Sequence, residues 1–543
     1  MKISCAVMVA AQAVAVCAGL TTDAVAQGRP SSAELQAVVA VEAARKAGEP
    51  ELYALLKTMP KGGELHMHLS GAVYAETFIA EGAKLGLCVA SVDAGSPAVP
   101  VGQGAVRFVK PSATGCATGQ VPASDAFKRQ PLYDDLVDSF SMRSFVPTQG
   151  INGHDQFFAT FERFGSVQGV GGEWLDEVAT RAAAQNEQYL EIMHTPPFIK
   201  AATLGYKLGW PEGAEHSVTH EQLAQLRDAL LKGGLRQEVA DDSRALDAME
   251  QQRNEIERCK ETAGSERSAG CDVSTRYLYQ VLRGFAPQQV FAQTLLGFET
   301  ASADPRFVGI NFVMPEDGYL SMRDYHLQMQ MLEYLHSVYP KVHIALHAGE
   351  VAPGLVPPDG LTFHIREAVE LAHAERIGHG VDVLYEKDSA GLLKDMAEKH
   401  VAVEINLTSN DVILGIKGSD HPLAAYRKAH VPFTLSTDDE GVSRIDLTHE
   451  YVRAVEEQGL GYLDLKQSAR SALEFSFLPG ESLWRAKGQY TQRINTCAAA
   501  ITAKSEPAES CRKFLQENKK AAEEWELEQR LANFEDKLTA SRL

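Results

Sequence analysis

The chain has 543 residues, 45% of them hydrophobic and 23% charged, with a formal net charge of −20. This composition excludes a collagen-like, coiled-coil or disordered chain, and leaves room for one large barrel with insertions or for two to three smaller domains. So acidic a chain repels phosphate backbones and shows no basic amphipathic stretch, which excludes nucleic acid and membrane surfaces as expected partners.

Lys2, the mostly apolar, Ala-rich run from Ile3 to Leu20, and Ala24-Val25-Ala26 have the pattern of a secretory signal peptide over residues 1–26, cut before Gln27. The run is too weakly hydrophobic for a good membrane anchor, so a secreted or periplasmic protein is expected. Cys5 and Cys17 leave with this segment. The six remaining cysteines form three sequence-local pairs, and an even count in an exported chain favours disulfides. Short loop closure makes Cys88–Cys116, Cys259–Cys271 and Cys497–Cys511 the simplest pairing.

Residues 27–58 read as an N-terminal helical extension, with apolar positions recurring between Ser31 and Thr58. Gly62–His68 is a short strand that ends in polar residues. A stretch rich in Gly, Pro, Ser and Ala follows at about 82–150, and is expected to be an inserted subdomain stapled by a disulfide. Seven further strands are predicted at Tyr189–Met193, Tyr277–Leu282, Phe307–Val313, Val342–His347, Arg376–His379, Val401–Asn406 and Pro432–Thr437. Helix-sized segments such as Arg323–Ser337, Thr362–Ala374 and Ser389–His400 separate most of them. Eight strand–helix units imply an α/β fold, a TIM-like (β/α)₈ barrel spanning residues 59–503. A doubly wound sheet is the alternative, but no Gly-x-Gly-x-x-Gly turn follows a strand. Residues 504–543 are expected to form a charged C-terminal surface helix.

Four polar clusters stand at predicted strand ends, where a barrel builds its active site. His66-x-His68 on a strand points two imidazoles to one side, so both can reach one ion. In His347-Ala348-Gly349-Glu350 an apolar strand ends in a third candidate ligand, and Gly349 permits a tight turn that carries Glu350 over the strand end. His379 stands between two glycines. Asp438 and Asp439 close the eighth strand, as carboxylates for a divalent cation or as a solvated helix cap. Each signal alone has a bland reading as polar surface or turn.

Their order and placement, at strands one, five, six and eight, resemble the adenosine deaminase family of barrel metal hydrolases. The resemblance rests on Met59–Ala72, His347–Glu350, Arg376–Gly380, Leu407–Asn410 and Ser436–Asp439, and covers roughly residues 50 to 480. The Met-Pro-Lys-Gly start, the early insertion and the signal peptide are most similar to the secreted branch, the adenosine deaminase-related growth factors and their bacterial relatives. The resemblance implies one Zn²⁺ per chain held by His66, His68, His347 and Asp438, with a further position left for water. It implies that His379 orients that water and takes or stabilises its proton, and that Glu350 protonates ring N1 of a purine. Asp439 would then hydrogen-bond N7, and Ser409 and Asn410 would support the ligand shell. A homodimer is the expected assembly by the same analogy.

Two departures bear on the substrate. Ser70 stands where typical members carry an acid that meets the ribose 5′-hydroxyl. Met314 replaces a glycine whose backbone faces purine N3, and Glu316 is expected to supply the missing ribose contact. Phe157, Phe158 and Phe161 read as core, or alternatively as an apolar lid over the base. The expected activity is hydrolysis of adenosine and 2′-deoxyadenosine in purine salvage. Alternatives are deamination of another 6-aminopurine, an extracellular nucleoside-binding or signalling protein with little activity, and a two-metal barrel hydrolase.

Overall fold

The computed structural model describes residues 30–92, 104–148, 150–261 and 266–540. The expected signal peptide and its cleavage site lie outside the described residues.

Eight strands run parallel in chain order: β1 (Gly62–His68), β5 (Glu187–His194), β6 (Ser274–Leu282), β7 (Phe307–Val313), β8 (His343–Ala348), β9 (Arg376–His379), β10 (Ala402–Ile405) and β11 (Phe433–Leu435). The circle closes where Met67 bridges Asp438, with the His68 N–H donating to the Asp438 carbonyl at 3.1 Å and the Asp438 N–H to the His66 carbonyl at 3.0 Å. Most helices follow the strands that precede them and cover the barrel outside. Strands covered in this way are buried on both faces, which is why they read as near-continuous apolar runs. The result is the TIM-like (β/α)₈ barrel expected from the sequence.

The N-terminal segment is two helices, Ser32–Ala47 and Glu49–Lys57, separated at Gly48. Gly48 has φ +119°, a conformation open to glycine and strained for other residues. The inserted region contains an antiparallel sheet of β2 (Cys88–Ser91), β3 (Val106–Val109) and β4 (Val121–Pro122), followed by helices Gln130–Ser139 and Gly153–Phe164. These elements share a separate apolar core that includes Phe78, Phe108, Phe140, Phe157 and Phe164, and it extends to Ile413 and Val442 on the barrel. Phe157 is therefore core, with Phe158 and Phe161 packed against it.

The three disulfides join Cys88 to Cys116, Cys259 to Cys271 and Cys497 to Cys511. The third staples a layer at the other end of the chain, where hairpin β12 (Trp484–Ala486) and β13 (Gln489–Arg493) packs beside two helices, Glu509–Glu517 and Lys519–Ala540. The tail thus departs from the expected surface helix. Trp525, Leu527, Leu531 and Phe534 are buried, and Arg470 pairs with Glu528 through two bonds of 2.6 and 2.7 Å. An apolar stripe at near-helical spacing, diluted by charges in the sequence, docks this helix onto the barrel. Among the described residues no helix is long and apolar enough to cross a membrane.

Candidate metal centre

The C-terminal ends of the strands deliver the polar side chains to one place. His66, His347, His379 and Asp438 each offer an atom within 4.8 Å of the others, and all four are buried. His68 joins through Asp438: its Nε2 lies 3.1 Å from Asp438 Oδ1 and 3.2 Å from His347 Nε2. His66 Nε2 lies 3.4 Å from the same carboxylate oxygen. His66 Nε2, His379 Nε2 and Asp438 Oδ1 are buried without a hydrogen-bond partner. Buried polar atoms left unsatisfied are costly, and several of them facing one point fit a cation. The cluster could hold a metal ion.

The far side of each imidazole is equally specific. His66 Nδ1 meets Glu404 Oε2 at 2.7 Å, and Glu404 is held in turn by Arg376 at 2.6 Å. His68 Nδ1 meets Gln280 Oε1 at 2.9 Å, and His347 Nδ1 meets Asn311 Oδ1 at 2.7 Å. Three oxygen acceptors keep the proton on Nδ1, so three Nε2 lone pairs face inward, as ligation by imidazole requires. Glu404, Gln280 and Asn311 were not found from the sequence. The available signal was that each is one polar residue inside an otherwise apolar strand.

His379 is held in the opposite sense, its Nδ1 lying 2.9 Å from Asn410 Nδ2. Burial pushes its pKa down to about 3. Ser409 Oγ donates to Asp438 Oδ2 at 2.6 Å. His379 and Asp438 both occupy left-handed backbone, with φ +67° and +63°, strain of a kind that collects at functional sites.

Two carboxyl groups line the cluster. Glu350 Oε1 is 3.6 Å from His379 Nδ1, and burial followed by the charges of Asp438 and Glu316 holds its pKa well above the ordinary range. Asp439 is pushed up to about 8 by burial and then by Asp438. It packs so closely on Gly71 that a Cβ there would lie 1.4 Å from Asp439 Oδ1. Both acids therefore favour the protonated, hydrogen-donating form.

Ser70 is half-buried beside this glycine. Met314 is 39% exposed with φ +93°, a backbone conformation that glycine would adopt without strain. Glu316 corrects an expectation. It is only 2% exposed, and both its oxygens accept backbone hydrogen bonds, from Gly349 at 3.0 Å and Glu350 at 2.8 Å. A carboxylate so placed is not free to meet a ribose.

Residues 245–486 match the family model described as adenosine deaminase. Over that span the chain is similar to the adenosine deaminase family. A stretch of 140 residues is 34% identical to the adenosine deaminase of Escherichia coli (strain SE11), covering 26% of this chain and 39% of that protein. A stretch of 139 residues is 34% identical to that of Clostridium perfringens (strain 13 / Type A), covering 25% and 39%. The chain thus spans 39% of the length of these curated relatives. A solved structure of the apo N6-methyl-AMP deaminase from Arabidopsis thaliana is similar with a TM-score of 0.48 and 20% identity, over 79% of this chain and 94% of that one. The span matched to the adenosine deaminase family holds His347, Glu350, His379, Asp438 and Asp439. His66 and His68 precede it, and barrel closure at Met67 and Asp438 brings them in.

Proposed function

We propose that this chain is an exported, metal-dependent deaminase that hydrolyses adenosine, and 2′-deoxyadenosine, to the 6-oxo nucleoside and ammonia in purine salvage. The observation that carries this reading is the inward convergence of three Nε2 lone pairs on Asp438, with Glu350 beside His379. His66, His68, His347 and Asp438 would hold one zinc ion. The ion would supply Lewis acidity and lower the pKa of water toward neutrality.

The remaining chemistry belongs to side chains. Glu350, whose pKa burial holds well above the ordinary carboxyl range, gives its proton to ring N1 and makes C6 electrophilic. Asp439, protonated for the same reason, donates to N7 and orients the base. His379 turns Nε2 toward Asp438 and orients the attacking water. Oxygen from water adds at C6, the C6–N bond breaks, and the amino group leaves as ammonia. The three disulfides support export, since such bonds persist in oxidising compartments. Ser70 and Met314 favour a second version of the same chemistry, in which another 6-aminopurine is the preferred substrate.

The test is ammonia release from adenosine, 2′-deoxyadenosine, adenine and AMP, with protein of measured metal content. Turnover of adenosine at one zinc per chain is expected. No turnover with any of the four overturns the reading, and two metal ions per chain would favour a different barrel hydrolase.

A further inference from the structure

Glu316 sits three residues past β7, and its carboxylate spans two successive amides of the turn that carries Glu350. We propose that Glu316 is a positioning residue, which fixes the proton donor Glu350 by gripping the backbone N–H groups of Gly349 and Glu350. The proposal rests on the role given to Glu350 above.

The grip is local and two-pronged. Gly349 has φ +80°, and this turn lets its N–H and that of Glu350 converge on the two oxygens of one carboxylate. The turn is also blocked from behind. A Cβ on Gly349 would lie 2.4 Å from Asp382 Oδ1 and 2.9 Å from Ile365. At the other end of the same tetrapeptide, Arg283 Nη2 donates to the His347 carbonyl at 3.4 Å. The segment from His347 to Glu350 is therefore held at both ends by buried ionisable side chains.

Other partners for Glu316 were at hand and went unused. His364 Nε2 is 3.8 Å from Glu316 Oε1, and its Nδ1 is 3.9 Å from Asp382 Oδ2. Both distances exceed a hydrogen bond, and both His364 nitrogens are buried without one, as are both Asp382 oxygens and two nitrogens of Arg283. Glu316 thus spends its two oxygens on the catalytic turn, while cationic and neutral groups behind it go unsatisfied. That is the pattern of a carboxylate committed to placing another residue. It is not that of a generic buried ion pair, which would close on His364.

The consequence is geometric. Proton delivery to N1 needs the Glu350 carboxyl within hydrogen-bond reach of the ring, and displacement by ~1 Å costs on the order of 100-fold. Glu316→Gln keeps size but not function. Its one carbonyl oxygen can accept one N–H, while its NH₂ group faces the other and repels it.

The experiment compares wild type with Glu316→Gln and Glu316→Asp. It measures kcat and KM for the best substrate of the panel above, bound metal, and hydrogen exchange of a peptide spanning residues 346–352. Expected for Glu316→Gln is a fall in kcat on the order of 100-fold with KM within about threefold, unchanged metal content, and faster exchange at Gly349 and Glu350. Glu316→Asp keeps the charge with a shorter reach, so it should recover part of the loss. It also serves as the readout should the glutamine variant fail to fold. The inference is overturned if kcat stays within about threefold of wild type in these variants, or if any loss merely tracks lost metal. Absence of wild-type turnover on every 6-aminopurine is a different result, and overturns the functional reading itself.

Discussion

The backbone N–H of Leu423 donates to His421 Nδ1 at 3.2 Å, and that bond sets the direction of a chain that ends at the candidate metal centre. A backbone amide can only donate, so His421 Nδ1 accepts and its proton sits on Nε2. His421 Nε2 then donates to Asn410 Oδ1 at 3.1 Å, which leaves Asn410 Nδ2 to donate to His379 Nδ1 at 2.9 Å. His379 is left with its proton on Nε2, facing Asp438 at 3.9 Å. Burial holds the His421 pKa down to about 3, so this residue stays neutral and the direction does not reverse. Of the two roles first expected for His379, donation toward the attacking water fits this tautomer and acceptance of its proton does not.

Replacing the donor end of Asn410 should therefore be costly. Asn410→Asp offers His379 Nδ1 an acceptor in place of a donor and forces the other tautomer. We expect kcat to fall roughly 10³- to 10⁴-fold, the scale of wrong-tautomer variants in hydrolytic triads, with metal content retained. Nitrogen-15 NMR of labelled histidine should report Nε2–H at His379 in wild type and Nδ1–H in the variant. An Nδ1–H signal in wild type would refute the chain.

Most of the eight strands were legible because they are covered on both faces and carry a mainly apolar run. The clustered site residues were legible because His68, His347, His379 and Asp438 stand where those runs end. What supports them was not. Gln280, Asn311 and Glu404 each look like an isolated polar intrusion, and only the register across neighbouring strands shows that they meet three different imidazoles. Glu316 was assigned to the ribose because Ser70 leaves that contact unfilled in the resemblance, whereas the turn at Gly349 supplies it with two buried donors. Burial and partner geometry, the deciding quantities in each case, arise between segments distant in the chain.

Glu350→Gln removes the proton and keeps the shape. Turnover should drop by about 10³-fold or more, near the upper range for a positioned general acid, because glutamine has no proton to deliver to N1. Zinc content measured on the same sample should match wild type, since Glu350 is not among the proposed ligands. A rate within about tenfold of wild type would refute the proton-transfer role.

His154 reaches from the inserted region to the barrel, its Nε2 2.9 Å from Asp317 Oδ1. Nearby, the Met142 N–H donates to the Val442 carbonyl at 2.8 Å, and Gly153 abuts the Val412 carbonyl. Val412 and Val442 follow strands β10 and β11, and Asp317 follows β7, so the insertion is pinned to both sides of the barrel mouth. Burial lowers the His154 pKa, but Asp317 and then Asp155 outweigh it and the net shift is upward. A histidine raised in the folded state stabilises fully below its unfolded pKa of about 6.5, and that contribution is lost as pH rises through the folded value. Hydrogen exchange across residues 150–158 should therefore be slower at pH 6 than at pH 9 once intrinsic rates are divided out. Asp317→Asn should remove most of that difference, and an unchanged difference would show that the pair does not anchor the insertion.

Asp242 lies outside the His/Asp cluster. It lies on helix Leu235–Ile256, where Oδ2 accepts from Thr300 Oγ1 at 3.2 Å and Oδ1 has no hydrogen-bond partner. Burial pushes its pKa up to about 7. Between about 4, the unfolded value, and 7 the folded state binds the extra proton, so stability falls as pH rises across that window. The contribution is complete below the unfolded pKa and gone above the folded one. Asp242→Asn is neutral at every pH and removes this dependence. Glu386 and Glu450, also raised to about 7 by burial, act in the same direction and remain in the variant, so its pH dependence should shrink without vanishing. Urea midpoints at pH 5 and pH 8 give the comparison. Asp242→Asn should gain over wild type more at pH 8 than at pH 5, and equal effects at the two pH values would mean that Asp242 is ionised in the folded protein.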